Sequence, residues 1–176
     1  MSDFASGAVA TTGLLTWIAD RPDVSSRLRR EPPDRVLVLA CGRGADLVAL
    51  ATAFPNITVY GVDSDAAAVQ AATEAAAASP VRDRVLVLQR PEAEPRLDPP
   101  FDVVVAVGLT TDPRRTEPPG ATAALWLVSR LVADGGLAIV DSAVPLDGAV
   151  VTQAGFRVAE PLGSSRFGYP AYLLRR

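Results

Sequence analysis

The chain has 176 residues, 49% of them hydrophobic, enough for one domain with a substantial core. A formal net charge of −3, with no long basic run, gives no sign of a nucleic-acid partner. The absence of histidine and the single cysteine, Cys41, remove the commonest neutral-pH acid–base group, the commonest metal ligand, an internal disulfide and a cysteine zinc cluster.

The first stretch, ASGAVATTGLLTWIA, is apolar like the core of a signal peptide, but Asp3 precedes it and no basic stretch leads it. It is too short and too interrupted by Thr and Gly for a membrane span. Leu14, Trp17 and Ile18 share a helical face, which predicts an amphipathic helix packed on the domain. RPDVSSRLRREPPD then reads as a short helix and a Pro-rich turn. Residues 1–34 are accordingly taken as an N-terminal helical segment and 35–176 as the main domain. No membrane partner is expected, and a reducing, cytoplasmic setting is the default for a chain with one thiol.

From there elements alternate. RVLVLA (35–40) is a continuous apolar run of strand length, as expected of a strand covered on both faces. GADLVALATAF is helical and stops at Pro55. ITVYGVD (57–63) is a second strand, and SDAAAVQAATEAAAA a helix with Ser64 or Asp65 as N-cap. RVLVLQ (84–89) and FDVVVAVG (101–108) are strands three and four, separated by the loop RPEAEPRLDPP. The prolines of TDPRRTEPPG forbid a helix interior. ATAALWLVSRLVA is a helix stopped by DGG, and LAIVDS a fifth strand. The tail predicts a short helix, a strand near 156–160, a Gly/Ser turn and a last strand near 169–175. So short a link makes those two strands antiparallel neighbours. The whole predicts an α/β fold: a doubly wound, mostly parallel seven-stranded sheet with a C-terminal antiparallel hairpin.

The first strand runs into a turn, VLVLACGRG, where Gly42 and Gly44 allow close approach of a ligand to the backbone. The next strand ends in Asp63, 19 positions after Gly44, a place from which a carboxylate accepts both hydroxyls of a ribose. Taken singly, each feature has a structural reading: a tight turn, and a cap for the helix beginning at Ser64. The pair in this order points to a nucleotide. A P-loop is excluded, because the chain has no lysine. Leu47 in the third glycine position of a dinucleotide fingerprint argues against a dehydrogenase.

From Val36 to Ser142 the sequence resembles a class I S-adenosylmethionine-dependent methyltransferase domain. VLVLACGRG is similar to the strand-one motif, VYGVDSD to the ribose-binding motif, FDVVVAVG to the fourth-strand segment and LVADGGLAIVD to the entry into strand five. QAGFRVAEP with GYPAYLLRR is similar to the closing hairpin. The resemblance implies S-adenosylmethionine as cofactor. It would be held by Ala40, Cys41, Gly42, Gly44, Asp63 and Ser64, with Glu92 the nearest acid to the adenine amine. Cys41 is read as packing against the sheet and Arg43 as solvent-facing.

The sequence also departs from that family. The acid expected in the middle of strand one is Val38, the first glycine is Ala40, and Pro91 stands where an acid often meets the adenine. No acceptor-side base is evident. Asp112 with Pro113 only faintly echoes an amino-methyltransferase motif, and Asp141 reads as a polar strand terminus. No metal and no catalytic residue are assigned. The expected function is methyl transfer to a small-molecule acceptor. The alternatives are a catalytically degenerate structural or regulatory partner and a non-methylating enzyme, such as a cyclase, on the same fold. The short N-terminal segment predicts an open substrate mouth, so that either the substrate is large, or a protein partner or a second copy in a homo-oligomer completes the pocket, or no substrate exists, with Phe4, Leu14 and Trp17 as a lid or interaction face.

Overall fold

A computed structural model describes residues 13–91, 97–98, 100–111 and 120–176. Helices α1 (Gly13–Ala19) and α2 (Pro22–Arg27) precede the strand β1 (Arg35–Leu39), and α3 (Ala45–Ala53), β2 (Thr58–Asp63), α4 (Ala66–Ala77) and β3 (Val85–Gln89) follow. Next come β4 (Phe101–Ala106), α5 (Ala121–Leu131), β5 (Val132–Asp141), α6 (Gly148–Gln153), β6 (Val158–Ser164) and β7 (Pro170–Arg175). The strands form one seven-stranded sheet in the order β3-β2-β1-β4-β5-β7-β6. Five run parallel, while β7 runs antiparallel to both β5 and β6. The doubly wound sheet and its closing hairpin are those predicted.

Strand β1 shows how an all-apolar run is used. Successive side chains point to opposite faces. Val36 and Val38 enter one buried cluster with Leu47 and Leu50 of α3; Leu37 and Leu39 enter the other with Leu125 and Val128 of α5 and Phe156. A strand that feeds two cores has no polar face, which is why it reads as an unbroken hydrophobic run. Leu14 and Ile18 of α1, with Val24 and Leu28, join the first cluster, and Trp17 packs partly buried against it.

The structure shifts several element boundaries, among them the starts of β5 and β6. Strand β5 starts at Val132 rather than after the DGG turn, because Val132 pairs with Phe101 before the register jumps to Leu137 opposite Val103. Gly135 sits in the bulge at φ +71. Strand β6 starts later than predicted because α6 ends in a turn at Gly155 (φ +87), where the Phe156 N–H returns to the Val151 carbonyl. It lies at the sheet edge, and Pro161 stands where its register shifts, two settings that tolerate a proline.

An ionic clasp fixes α2 to the hairpin. Arg175 pairs with Asp23 and, at 2.8 Å, with Glu160; Arg21 also reaches Glu160. The hydrogen bond from Arg175 holds the Asp23 carboxyl down to about 2, from an ordinary 3.8. A carboxyl with a depressed folded-state pKa stabilises the fold above its unfolded value and loses that contribution as pH falls through the folded one. Unfolding midpoints are therefore expected to drop between pH 3.8 and about 2. Asp23→Asn should flatten this acid limb, with a small amplitude because solvent screens the partly exposed pair.

A second expectation concerns packing. A Cβ on Gly44 would stand 2.9 Å from the Ala72 Cα of α4, at a φ of +83. Gly44→Ala is expected to cost roughly 2–4 kcal/mol in urea unfolding, from left-handed strain plus overpacking. Gly42→Ala, at φ +56 with nothing within 4 Å, should cost only the strain, about 1 kcal/mol.

Candidate functional site

The turn after β1 sits where the chain directions diverge: β1 leads toward β2 on one side and β4 on the other. Ligands of open α/β sheets bind at the carboxyl edge of such a switch point. Ala40 takes φ +53, a left-handed conformation that costs an L-residue about 1–2 kcal/mol and that the glycine it replaces would adopt freely. The Cys41 N–H donates to the Val62 carbonyl and the Gly44 N–H to the Cys41 carbonyl, so the turn is anchored to β2. The two glycines then divide their tasks. Gly42 faces open space, whereas Gly44 is the only residue type that fits against α4. The Cys41 Sγ is buried over Gly61, where a Cβ would meet it at 3.1 Å.

Asp63 ends β2 and is buried. Its Oδ2 accepts the Gly42 N–H at 2.8 Å and its Oδ1 accepts the Asp65 N–H at 3.0 Å. One carboxylate thus joins the glycine turn to the start of α4. A carboxylate offers about four lone-pair sites, so two remain for a diol. The Arg90 N–H donates to the Asp63 carbonyl at 3.0 Å, bringing the end of β3 to the same place. The cap of α4 is Asp65, which accepts the Ala67 N–H; Ser64 is exposed beside it. Arg43 is exposed as well.

On the β4–β5 side, Asp141 is buried. Its Oδ1 accepts the Gly108 N–H at 2.9 Å and its Oδ2 the Thr111 hydroxyl at 2.6 Å. It holds the exit turn of β4 in place, as a strand terminus with a structural task. Beside it a cavity of about 10 Å³, lined by Ala106, Thr110, Val140 and Ser142 among others, has room for one water and none for an acceptor.

The tip of the β6–β7 hairpin reaches this edge, which the sequence reading missed. Arg166 pairs with Asp46 in the first turn of α3 at 2.8 Å. The Phe167 ring lies so close over Gly108 that a Cβ there would stand 2.5 Å from it. Nothing local marks these residues, since Asp46 and Arg166 are 120 positions apart. The only hint was an acid in a helix first turn, a commonplace feature.

Val38 is buried among apolar side chains, so strand one presents no acid at the ligand edge. Glu92, Asp112, Pro113 and Phe4 lie outside the described residues. Among the described residues no group of three or more Cys, Asp or Glu side chains could hold a metal ion, and no helix is long and apolar enough to cross a membrane.

Sheet order, closing hairpin and a glycine turn tied to an acid at the end of β2 define a Rossmann-like methyltransferase fold. The chain belongs to the class I methyltransferase family: the sequence model described as a methyltransferase domain matches residues 37–138, from β1 into β5. No significant sequence match is found among curated proteins. Solved structures are similar in fold. A Bordetella parapertussis protein thought to be exported has a TM-score of 0.68 at 17% identity, over 85% of this chain and 63% of that one. Magnesium protoporphyrin IX methyltransferase from Synechocystis PCC 6803, with S-adenosylmethionine bound, scores 0.67 at 19% identity, over 93% and 76%. The O-methyltransferase of a Brevibacillus brevis trans-AT polyketide synthase, in complex with S-adenosylhomocysteine, scores 0.58 at 13% identity, over 73% and 49%. The chain thus spans about half to three quarters of the length of these three structures.

If Asp141 is structural, Asp141→Ala should cost about 3 kcal/mol or more, because it strands a backbone N–H and a hydroxyl in the interior. Asp147→Ala, which removes only the exposed cap of α6, should cost about 1 kcal/mol. Thermal unfolding of the two variants compares them directly.

Proposed function

We propose that the chain binds S-adenosylmethionine across the carboxyl ends of β1 and β2 and transfers its methyl group to a small-molecule acceptor. The observation that carries this reading is the Asp63–Gly42 hydrogen bond beside a glycine that opens onto free space. The fit is good at the nucleoside end. Gly42 leaves backbone accessible, and Asp63 keeps acceptor capacity for two ribose hydroxyls. Ala40, Cys41 and Gly44 hold the turn in shape, and Ser64 lies at the mouth. The fit is poorer at the amino-acid end, where Val38 supplies no charge.

Bound there, the cofactor supplies an electrophilic methyl group. The residues of this chain orient it; Asp141 does not serve as a base, since it is buried beside a cavity with room for one water and none for an acceptor. The acceptor is then one already deprotonated or otherwise nucleophilic, for which positioning carries much of the rate. The mouth is completed by a protein partner or a second copy of the chain.

A second reading has its own observation. Val38 fills the place of the strand-one acid with a buried apolar side chain, which favours a methyltransferase-like partner without catalysis.

Calorimetric titration with S-adenosylmethionine and S-adenosylhomocysteine separates the two. The first reading predicts micromolar binding, weakened about 10- to 100-fold in Asp63→Asn, the worth of a charge-assisted hydrogen bond. Absence of heat with either ligand at about millimolar concentration would leave the non-catalytic reading standing.

A further inference from the structure

The opposite end of the sheet carries a second feature that the methyltransferase reading does not use. A cleft of about 490 Å³ opens where α2 meets the start of β5 and the end of β7. Its walls carry Arg27, Arg30, Arg157, Arg175 and Arg176, against one acid, Asp23. Leu137 and Arg175 are paired at this end, and Asp141 and Ala171 at the other. At about 3.3 Å per residue the cleft lies roughly 13 Å along β5 from the ligand edge.

Five guanidiniums and one carboxylate line the cleft, a concentration of N–H donors at one place. Other acids pair with these arginines without lining the cleft. Asp34 and Asp102 both meet Arg27 and Arg30, Glu160 meets Arg175, and Asp134 meets Arg176. These pairs leave donors over, because each guanidinium has five N–H groups. Arg30 spends two on Asp34, and Arg175 two on Glu160 and Asp23. The exposed Arg157 has no side-chain hydrogen bond or ion pair among the described residues. Its backbone N–H donates to the Arg175 carbonyl at 2.7 Å, which sets its Cα at the cleft wall.

We infer that this cleft is a binding site for a phosphate-bearing small molecule. Arginine forks match phosphate oxygens, and a group with several charged oxygens uses more of the spare donors than one carboxylate does. The volume lies within the usual range for small-molecule sites. This inference is independent of cofactor binding at the other edge.

Pyrophosphate is the probe, titrated at low ionic strength by calorimetry and by backbone amide shifts. Saturable binding is expected, with shifts at Gly135 and Arg157. Affinity should fall roughly tenfold or more in Arg157→Ala, a substitution that removes no side-chain hydrogen bond or ion pair among the described residues. Arg82→Ala, on an exposed side chain outside the cleft, should leave it unchanged. No saturation by about 10 mM, or equal affinity in Arg157→Ala, would overturn the inference.

Discussion

The ligand edge depends on one buried carboxylate. Asp63 accepts from the N–H of Gly42 and from that of Asp65, and so ties the turn after β1 to the start of α4. Without that tie, a turn with left-handed residues at 40, 42 and 44 would have little to hold its shape beyond the backbone bonds to β2. In the proposed complex the same carboxylate would receive a ribose, so the group that builds the site would also read the ligand. This dual role makes it a poor position for substitution even in a chain that had lost catalysis.

Close packing sets the rest of the edge. Gly44 lets α3 meet α4, Gly61 lets Leu47 and Cys41 settle on β2, and Gly108 makes room for Phe167. Three glycines thus serve as contact points between elements, and Gly42 alone among these four faces open space. The hairpin tip is held by Phe167 over Gly108 and by the Arg166–Asp46 pair, and Asp141 fixes the turn on which Phe167 rests. The acceptor side of the edge is accordingly built from β4, β5 and the hairpin together.

Most of the fold was legible in the sequence. Apolar runs such as Val36–Leu39 had to be strands covered on both faces, and Pro55 had to end a helix, whereas the DGG segment expected to stop α5 lies inside β5. The spacing from Gly44 to Asp63 brought the glycine turn and the acid together because it depends on two adjacent strands and their local turns. The purpose of Gly44 was not legible, since a glycine needed against Ala72 looks the same as one needed by a ligand. Neither was the task of Asp141, which follows from Gly108 and Thr111 across the strand pair. The Asp46–Arg166 pair and the arginine cleft arise from residues far apart in the chain, and no local pattern announces such contacts.

The most direct test of the central claim is a crystal structure of the protein soaked with S-adenosylhomocysteine. The account predicts density along the carboxyl ends of β1 and β2, with the ribose hydroxyls within hydrogen-bond reach of Asp63 and the ligand passing over Gly42. A fully soaked crystal with no ligand at that edge, or with the ligand bound away from Asp63, would contradict it.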